Sequence, residues 1–366
     1  MAATQLPRPK AHSRPGSCSS MKLPVLSVGS ATLSRPLSKG PLGLETPISA
    51  LVMRRPLRTN LRIGVSNCST RSSSRSSTGR LHKSGTLSLL DGCISVLPPA
   101  VSAQAWAVTD GCSGALLFGS HENEPRLVAS LTKILTVYTC LKLAKSRTEV
   151  SLDLILPVSA RAAAAIGTRA GLWTGDEITV RNLLYGVMLP SGNDAALCLA
   201  EGLGAVLCAA KGLNPLETSP EQVYLSQMAQ FAEELGLSHS RFRNPTGLDH
   251  NGNLSSARDI NQIATAAMRF GSFRTIVRSQ EHCFSLKGSS GQKRSMRWLN
   301  TNKLLNVGFD GLKTGVTPAA GPCLTASLHS QAGYIIVTVL HCKSLEDRWS
   351  EVQSLATWAQ IALRCR

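Results

Sequence analysis

The chain has 366 residues and carries 39 Lys and Arg against 22 Asp and Glu, a formal charge of +17. Residues 1–90 hold fourteen of the basic residues and a single acid, Glu45, which leaves only +4 for the other 276 positions. The length supplies ample core for one large or two ordinary domains, and the basicity belongs to the N-terminal stretch, so no nucleic-acid partner is expected.

In chain order, residues 1–80 are rich in Ser, Arg, Pro, Leu and Thr and show no sustained periodicity. The tract Ser69–Arg80 (STRSSSRSSTGR) is of low complexity and cannot bury enough apolar surface to fold. An Arg- and Ser-rich, acid-poor composition is that of a transit peptide. A plastid or another organelle is the expected destination, and the other reading places the true initiator at Met21 or Met53. A mildly apolar stretch, Leu87–Ala103, closes on Val101-Ser102-Ala103, an ending similar to a signal-peptidase site. Asp91 and Pro98-Pro99 interrupt it, and secretion is the alternative destination. No uninterrupted run of about 18 apolar residues occurs, so no transmembrane helix is expected.

From Gln104 the pattern changes. Ala105–Thr109 and Ala115–Gly119 flank a Gly/Ser turn and read as a hairpin. Next comes a helix in which Leu131, Ile134, Leu135, Tyr138 and Leu141 recur at helical spacing and should bury one face. Residues 148–182 are mixed, with an Ala-rich piece and a turn around 171–176. Helical patterns at 178–189 and 194–209 are separated by Pro190-Ser191-Gly192-Asn193, and further helices are expected at 219–236 and 256–270. Two apolar runs, Leu324–Ser330 and Tyr334–Cys342, read as a second hairpin, and an amphipathic helix over 345–363 closes the chain. Strands at both ends with helices between them predict one α+β domain whose terminal segments share an antiparallel sheet.

Eleven cysteines include no Cys-x-x-Cys pair and no Cys/His cluster, so no metal site and no cofactor is assigned. Cys140, Cys198, Cys208 and Cys342 fall in apolar patterns, where a reduced thiol behaves as a small hydrophobe. The chemistry concentrates elsewhere. Ser130 stands three residues before Lys133, on one side of a helix and near its positive end. A serine hydroxyl becomes a nucleophile when a base takes its proton, and a lysine serves as that base once burial or a second cation keeps it neutral. The same spacing occurs at Ser19–Lys22 and Ser290–Lys293, so it carries little alone. Ser130 read by itself is equally a helix N-cap, Lys133 and Lys313 solvated charges, 190–193 a plain turn, and Gly315 a strand requirement.

The accompaniment decides. Ser130-Leu-Thr-Lys133, Ser191-Gly-Asn193 and Lys313-Thr-Gly315 occur in that order, and the second and third patterns occur once each. The chain resembles the penicillin-binding and serine β-lactamase superfamily, most closely its low-molecular-weight D-alanyl-D-alanine carboxypeptidases. The flanks agree from about Ala105 to the C-terminus: Ala129–Thr136, Leu189–Ala196 with Leu199-Ala-Glu201, Phe242–Leu248, Ser256–Asp259, Asn300–Leu305 and Asp310–Gly315 with Thr317. The resemblance implies a β-lactamase/transpeptidase-like α+β fold, a five-stranded antiparallel sheet flanked by helices plus a helical lobe. It implies a basic targeting or disordered segment over 1–103 and a catalytic domain over 104–366.

By the same resemblance, Ser130 attacks the carbonyl between two terminal D-alanines, Lys133 accepts its proton and Ser191 relays it to the leaving amine. Asn193 positions the substrate amide and Lys133, Lys313 and Thr314 hold the substrate carboxylate, and Gly315 lets an extended peptide lie on the strand edge. The backbone N–H groups of Ser130 and Val316 form the oxyanion hole. Peptidoglycan-type peptides and β-lactams are the implied partners. The alternatives are a related hydrolase or β-lactamase-like enzyme with another amide or ester substrate, or a non-catalytic peptidoglycan-binding descendant. Glu233 and Glu234 lack the context of a deacylating glutamate, which weighs against a β-lactamase. His250 and His341 have no partner pattern. The chain is expected to lack the C-terminal β-rich domain and the amphipathic membrane anchor of many bacterial relatives.

Overall fold

The computed structural model of the chain describes residues 97–214, 217–248 and 252–364. The transit-like segment, Ser19–Lys22 and His250 lie outside the described residues. The five-stranded antiparallel sheet has the order β2-β1-β9-β8-β7: β1 is Ala105–Asp110, β2 Leu116–Ser120, β7 Leu312–Thr317, β8 Gly321–Ser330 and β9 Gly333–Leu340. Ala105 pairs with Leu340 across β1 and β9, so the two ends of the folded region do share one sheet. Alternation along the strands gives this sheet two apolar faces. Trp106, Val108, Leu324, Val337 and Val339 pack against Trp349, Val352, Leu355 and Ala359 of the closing helix, Asp347–Arg364. Ala105, Ala107, Ile336 and Leu340 face the opposite way, into the larger core formed with the helices.

The helices are α1 Thr132–Ser146, α2 Ala160–Ala163, α3 Val180–Met188, α4 Asn193–Ala210, α5 Pro220–Glu234, α6 Ala257–Met268, α7 Gly271–Arg278 and α8 Asp347–Arg364. Thr179 caps α3 by accepting from Asn182 N, and Ser256 caps α6 by accepting from Asp259 N. The expectation that α1 buries one face is too modest. Every residue from Thr132 to Leu141 is buried, because α1 runs through the centre of the molecule. Thr136 is partnered there: its Oγ1 donates to Pro245 O at 2.8 Å, and its carbonyl accepts from the Tyr224 hydroxyl at 2.7 Å. Helix α4 is apolar and long enough to cross a membrane by length and composition, yet it is mostly buried against α2, α3 and α5 as a core helix.

Several features depart from the sequence reading. A second antiparallel sheet, β3-β4-β5-β6, is formed by Ile155–Pro157, Glu177–Thr179, Glu281–Lys287 and Lys293–Leu299, and it is absent from the sequence expectation. Ser290 and Lys293 belong to the β5–β6 turn and the start of β6, so their spacing is not helical. Val101-Ser102-Ala103 is not a detached ending: the N–H groups of Ser102 and Ala103 bond the Glu351 carboxylate at 2.6 and 3.1 Å. Packing therefore begins ahead of Gln104. Cys140, Cys198, Cys208 and Cys342 are buried and free.

Candidate active site

A 3-10 turn, Ala129–Leu131, delivers Ser130 to the start of α1, with Ala129 held at a φ of 48°. Ser130 caps nothing there. Its Oγ lies 2.9 Å from Lys133 Nζ. The same Nζ lies 2.7 Å from Asn193 Oδ1 and 2.6 Å from the backbone oxygen of Thr246. Two of these three partners can only accept. A neutral amine has two N–H bonds and one lone pair, so with Asn193 and Thr246 taking the N–H bonds the lone pair is left facing the Ser130 hydroxyl. Lys133 is fully buried, and burial holds its pKa well below the ordinary lysine value, helped by Lys313 and opposed by Asp194.

The 190–193 turn that joins α3 to α4 brings the second motif to the same place. Ser191 adopts a φ of 63°, a strained value for a residue with a side chain, and its carbonyl accepts from Thr168 Oγ1 at 2.6 Å. Asn193 opens α4, donates its backbone N–H to Thr168 O at 2.8 Å and its side-chain N–H to Ile166 O at 2.6 Å. Ser191 Oγ has no hydrogen bond to either lysine among the described residues. The plain-turn reading of 190–193 is thus incomplete: the turn is built around site contacts.

Strand β7 supplies the third motif. It is the edge of the five-stranded sheet, with β8 on one side only. Gly311 O accepts from Ser327 N, and alternation from that pair makes 313, 315 and 317 the ladder-bonded positions. Val316 stands opposite Pro322, whose carbonyl points away and accepts from Cys342 N at 2.9 Å, so the Val316 N–H turns to the open edge of the sheet. Lys313 is buried, its amine donates to Thr314 O at 2.9 Å, and burial together with Arg348 pushes its pKa down to about 7. Thr314 Oγ1 is 2.9 Å from Thr301 Oγ1.

Gly315 has a firmer reason to be glycine than peptide access. A Cβ there would stand 3.0 Å from Val128 O, 3.2 Å from Ala129 Cβ and 3.2 Å from Ser130 N. The missing side chain is what lets β7 lie against the Ser130 turn. Gly247 does the same from the other flank, where a Cβ would overlap Ala129 O.

The 242–248 segment carries no chemical role that its sequence alone would reveal. The structure makes it the third wall of the Lys133 pocket. Asn244 Oδ1 accepts from Thr246 N, Thr246 Oγ1 and Gly247 N at 3.1, 2.9 and 2.8 Å, and this turn aims the Thr246 carbonyl at Lys133. Asn-Pro-Thr-Gly is a recognisable turn, but its partner is visible only in three dimensions. Arg348 was also missed: it lies on α8, its guanidinium donates to Gly315 O at 3.3 Å, and it is a second cation behind Lys313.

Chemically the assembly can serve acyl transfer: a hydroxyl in hydrogen-bond reach of a buried amine whose pKa is held down, beside the open edge of a strand. The family model for D-alanyl-D-alanine carboxypeptidase, a peptidase family, matches residues 93–344. Thus the chain belongs to the D-alanyl-D-alanine carboxypeptidase family. It is 30% identical over 284 residues to the D-alanyl-D-alanine carboxypeptidase of Streptomyces sp. strain K15, covering 77% of this chain and 94% of that protein. It is 30% identical over 263 residues to DacF of Bacillus subtilis, covering 71% of this chain but 62% of the relative's length. The crystal structure of the Streptomyces K15 DD-transpeptidase superposes with a TM-score of 0.66 at 30% identity, over 72% of this chain and 99% of that one. DacD of Francisella tularensis gives a TM-score of 0.63 at 25% identity, over 74% and 73% of the two chains. The fold is therefore the antiparallel, helix-flanked α+β architecture of these peptidases.

Proposed function

We propose that the chain is a serine-type D-Ala-D-Ala carboxypeptidase that removes the terminal D-Ala of peptidoglycan-type peptides through an acyl-enzyme on Ser130. The observation that carries this reading is the Lys133 amine, buried and fixed by Asn193 and Thr246 with Ser130 Oγ at 2.9 Å.

In the reaction, Lys133 takes the Ser130 proton as Oγ bonds to the carbonyl carbon of the penultimate D-Ala. The oxygen that gains the charge accepts from the Ser130 and Val316 N–H groups, an interaction that strengthens as the charge forms. The C–N bond then breaks, and the amine takes up the Lys133 proton by way of Ser191. Free D-Ala leaves, and water cleaves the Ser130 ester. Lys313 in its charged form attracts the terminal carboxylate, Thr314 bonds it, and Asn193 holds both Lys133 and the substrate amide.

The relatives carry both carboxypeptidase and transpeptidase names, activities that differ in whether water or an amine accepts the acyl group. Diacetyl-Lys-D-Ala-D-Ala is the direct test. Release of D-Ala by the chain and none by Ser130→Ala is the expected result. Acylation by a β-lactam without release of D-Ala would move the reading to another amide or ester. We further propose that the segment 1–103 directs the chain to a plastid or another organelle, a reading carried by the acid-poor, Arg- and Ser-rich composition of residues 1–80. A fluorescent fusion of residues 1–103 that stayed in the cytosol would overturn it.

A further inference from the structure

Asp194 has no role in the chemistry above, yet it is a fully buried carboxylate one residue beyond Asn193. Its oxygens accept four backbone N–H groups: Ala170 at 2.7 Å, Gly171 at 2.9 Å, Leu172 at 3.1 Å and Ala195 at 2.9 Å. Three of these donors belong to the loop 166–172, whose other end bonds the catalytic turn. Thr168 Oγ1 donates to Ser191 O, Thr168 O accepts from Asn193 N, and Ile166 O accepts from Asn193 Nδ2. That last bond sets the amide. Ile166 O can only accept, so the Asn193 nitrogen must face it and Oδ1 must face Lys133.

We propose that Asp194 is a positioning residue for acylation: its carboxylate pins the 166–172 loop against the Ser191–Asn193 turn and so fixes the Asn193 amide that receives the Lys133 amine. The inference rests on the proposed acyl-enzyme reading. It gives Asp194 two separable effects. One is mechanical and passes through the loop. The other is the charge itself, which favours the protonated form of Lys133 and so opposes Lys313 across the site. The remaining groups that face this arrangement are Arg169 on the loop, with Nε 3.9 Å from Asp194, and Cys198 on α4, whose thiol is pushed up to about 12 chiefly by burial. Asp176 and Glu201 act on Cys198 in the same direction, and Arg348 stands behind Lys313.

The sign follows. Lys133 works as a base when neutral, so acylation falls on the acid side as Lys133 takes a proton. Asp194→Asn removes a charge that stabilises the protonated form, which lowers the Lys133 pKa and moves the acid limb to lower pH. Thr168→Val removes the bond to Ser191 O and leaves the charge in place.

The test measures the rate of covalent labelling of the full chain by a fluorescent penicillin from about pH 5 to about pH 10. Asp194→Asn is expected to lower the plateau rate about ten- to a hundredfold. It is also expected to move the acid limb down by about one pH unit. Thr168→Val is expected to lower the plateau with the limb unmoved. A plateau in Asp194→Asn equal to wild type, or a lowered plateau with an unmoved limb, would overturn the proposal. If Asp194→Asn does not fold, Thr168→Val decides: a normal rate overturns the proposal and a reduced rate upholds it. Failure of the underlying reading looks different, since the wild-type chain itself would then take no label.

Discussion

Two buried lysines set the behaviour of the site at the scale of single residues. Lys133 must be neutral and Lys313 charged for the proposed acylation, and burial depresses both, Lys313 to about 7. Acylation should therefore need Lys133 without its proton, and it should fall as pH rises through about 7 and Lys313 becomes neutral. Because the two cations face one another, the limbs belong to the pair, and Lys313→Arg, which keeps the charge, should push the alkaline limb upward. Stability has its own sign. The folded-state value for Lys313, about 7, lies below the ordinary 10.5, so between them the unfolded chain holds a proton that the folded chain has lost. Stability should rise with pH across that window. Lys313→Met should raise the melting temperature at neutral pH, by about 1–3 kcal/mol in stability, while labelling by penicillin is lost. Calorimetry and a labelling assay on the same sample check both halves, and a destabilised Lys313→Met would contradict the account of its burial.

The elements place these residues by close approach. The Ser130 turn is held between β7 and the 242–248 segment, and glycine is required on both flanks, at Gly315 and Gly247. Gly247 combines a φ of 81° with backbone contact, so Gly247→Ala should cost about 2–4 kcal/mol and depress acylation together with stability. Helix α6 is tied to the sheet through Asn261, whose side chain donates to Thr109 Oγ1 at 2.8 Å and accepts from Thr338 Oγ1 at 2.6 Å. Chemical denaturation of Asn261→Ala should show a loss of about 2–3 kcal/mol, with labelling of the folded fraction retained.

Legibility in the sequence divides along the same lines. The hairpins, the main helices and the three motifs announce themselves through periodicity and short fixed spacings, and their order carried the resemblance. Strands β5 and β6 alternate without strong apolar content, because Leu286, Met296 and Trp298 are buried and Phe284 is only partly so, which leaves their periodicity faint. Thr246 acts through a backbone carbonyl, Asn261 is one asparagine inside a helix, and Arg348 stands 33 residues from its partner Gly315. Roles of that kind depend on tertiary approach, which no local pattern records.

At the scale of the whole molecule, the folded region is two apolar layers on one sheet, with the site between the sheet edge and the helical core. Near the first described residues, Glu351, 8% exposed, accepts the Ser102 and Ala103 N–H groups. A chain starting at Leu97 keeps this clamp, and one starting at Gln104 leaves a nearly buried carboxylate without those donors. The shorter chain should lose about 1–3 kcal/mol of stability. Both should label with penicillin when folded. Equal melting temperatures for the two would show that the clamp adds nothing.

The most direct measurement is covalent labelling of the full chain by a fluorescent penicillin beside its Ser130→Ala variant, with circular dichroism on both. A β-lactam presents a strained amide and a carboxylate to the same strand edge and leaves its acyl group on the nucleophile. A stoichiometric adduct on the wild-type chain, absent from an equally folded Ser130→Ala, is the expected result. A well-folded wild-type chain that takes no label, or a Ser130→Ala chain that takes it equally, would contradict the assignment of Ser130 as an activated nucleophile.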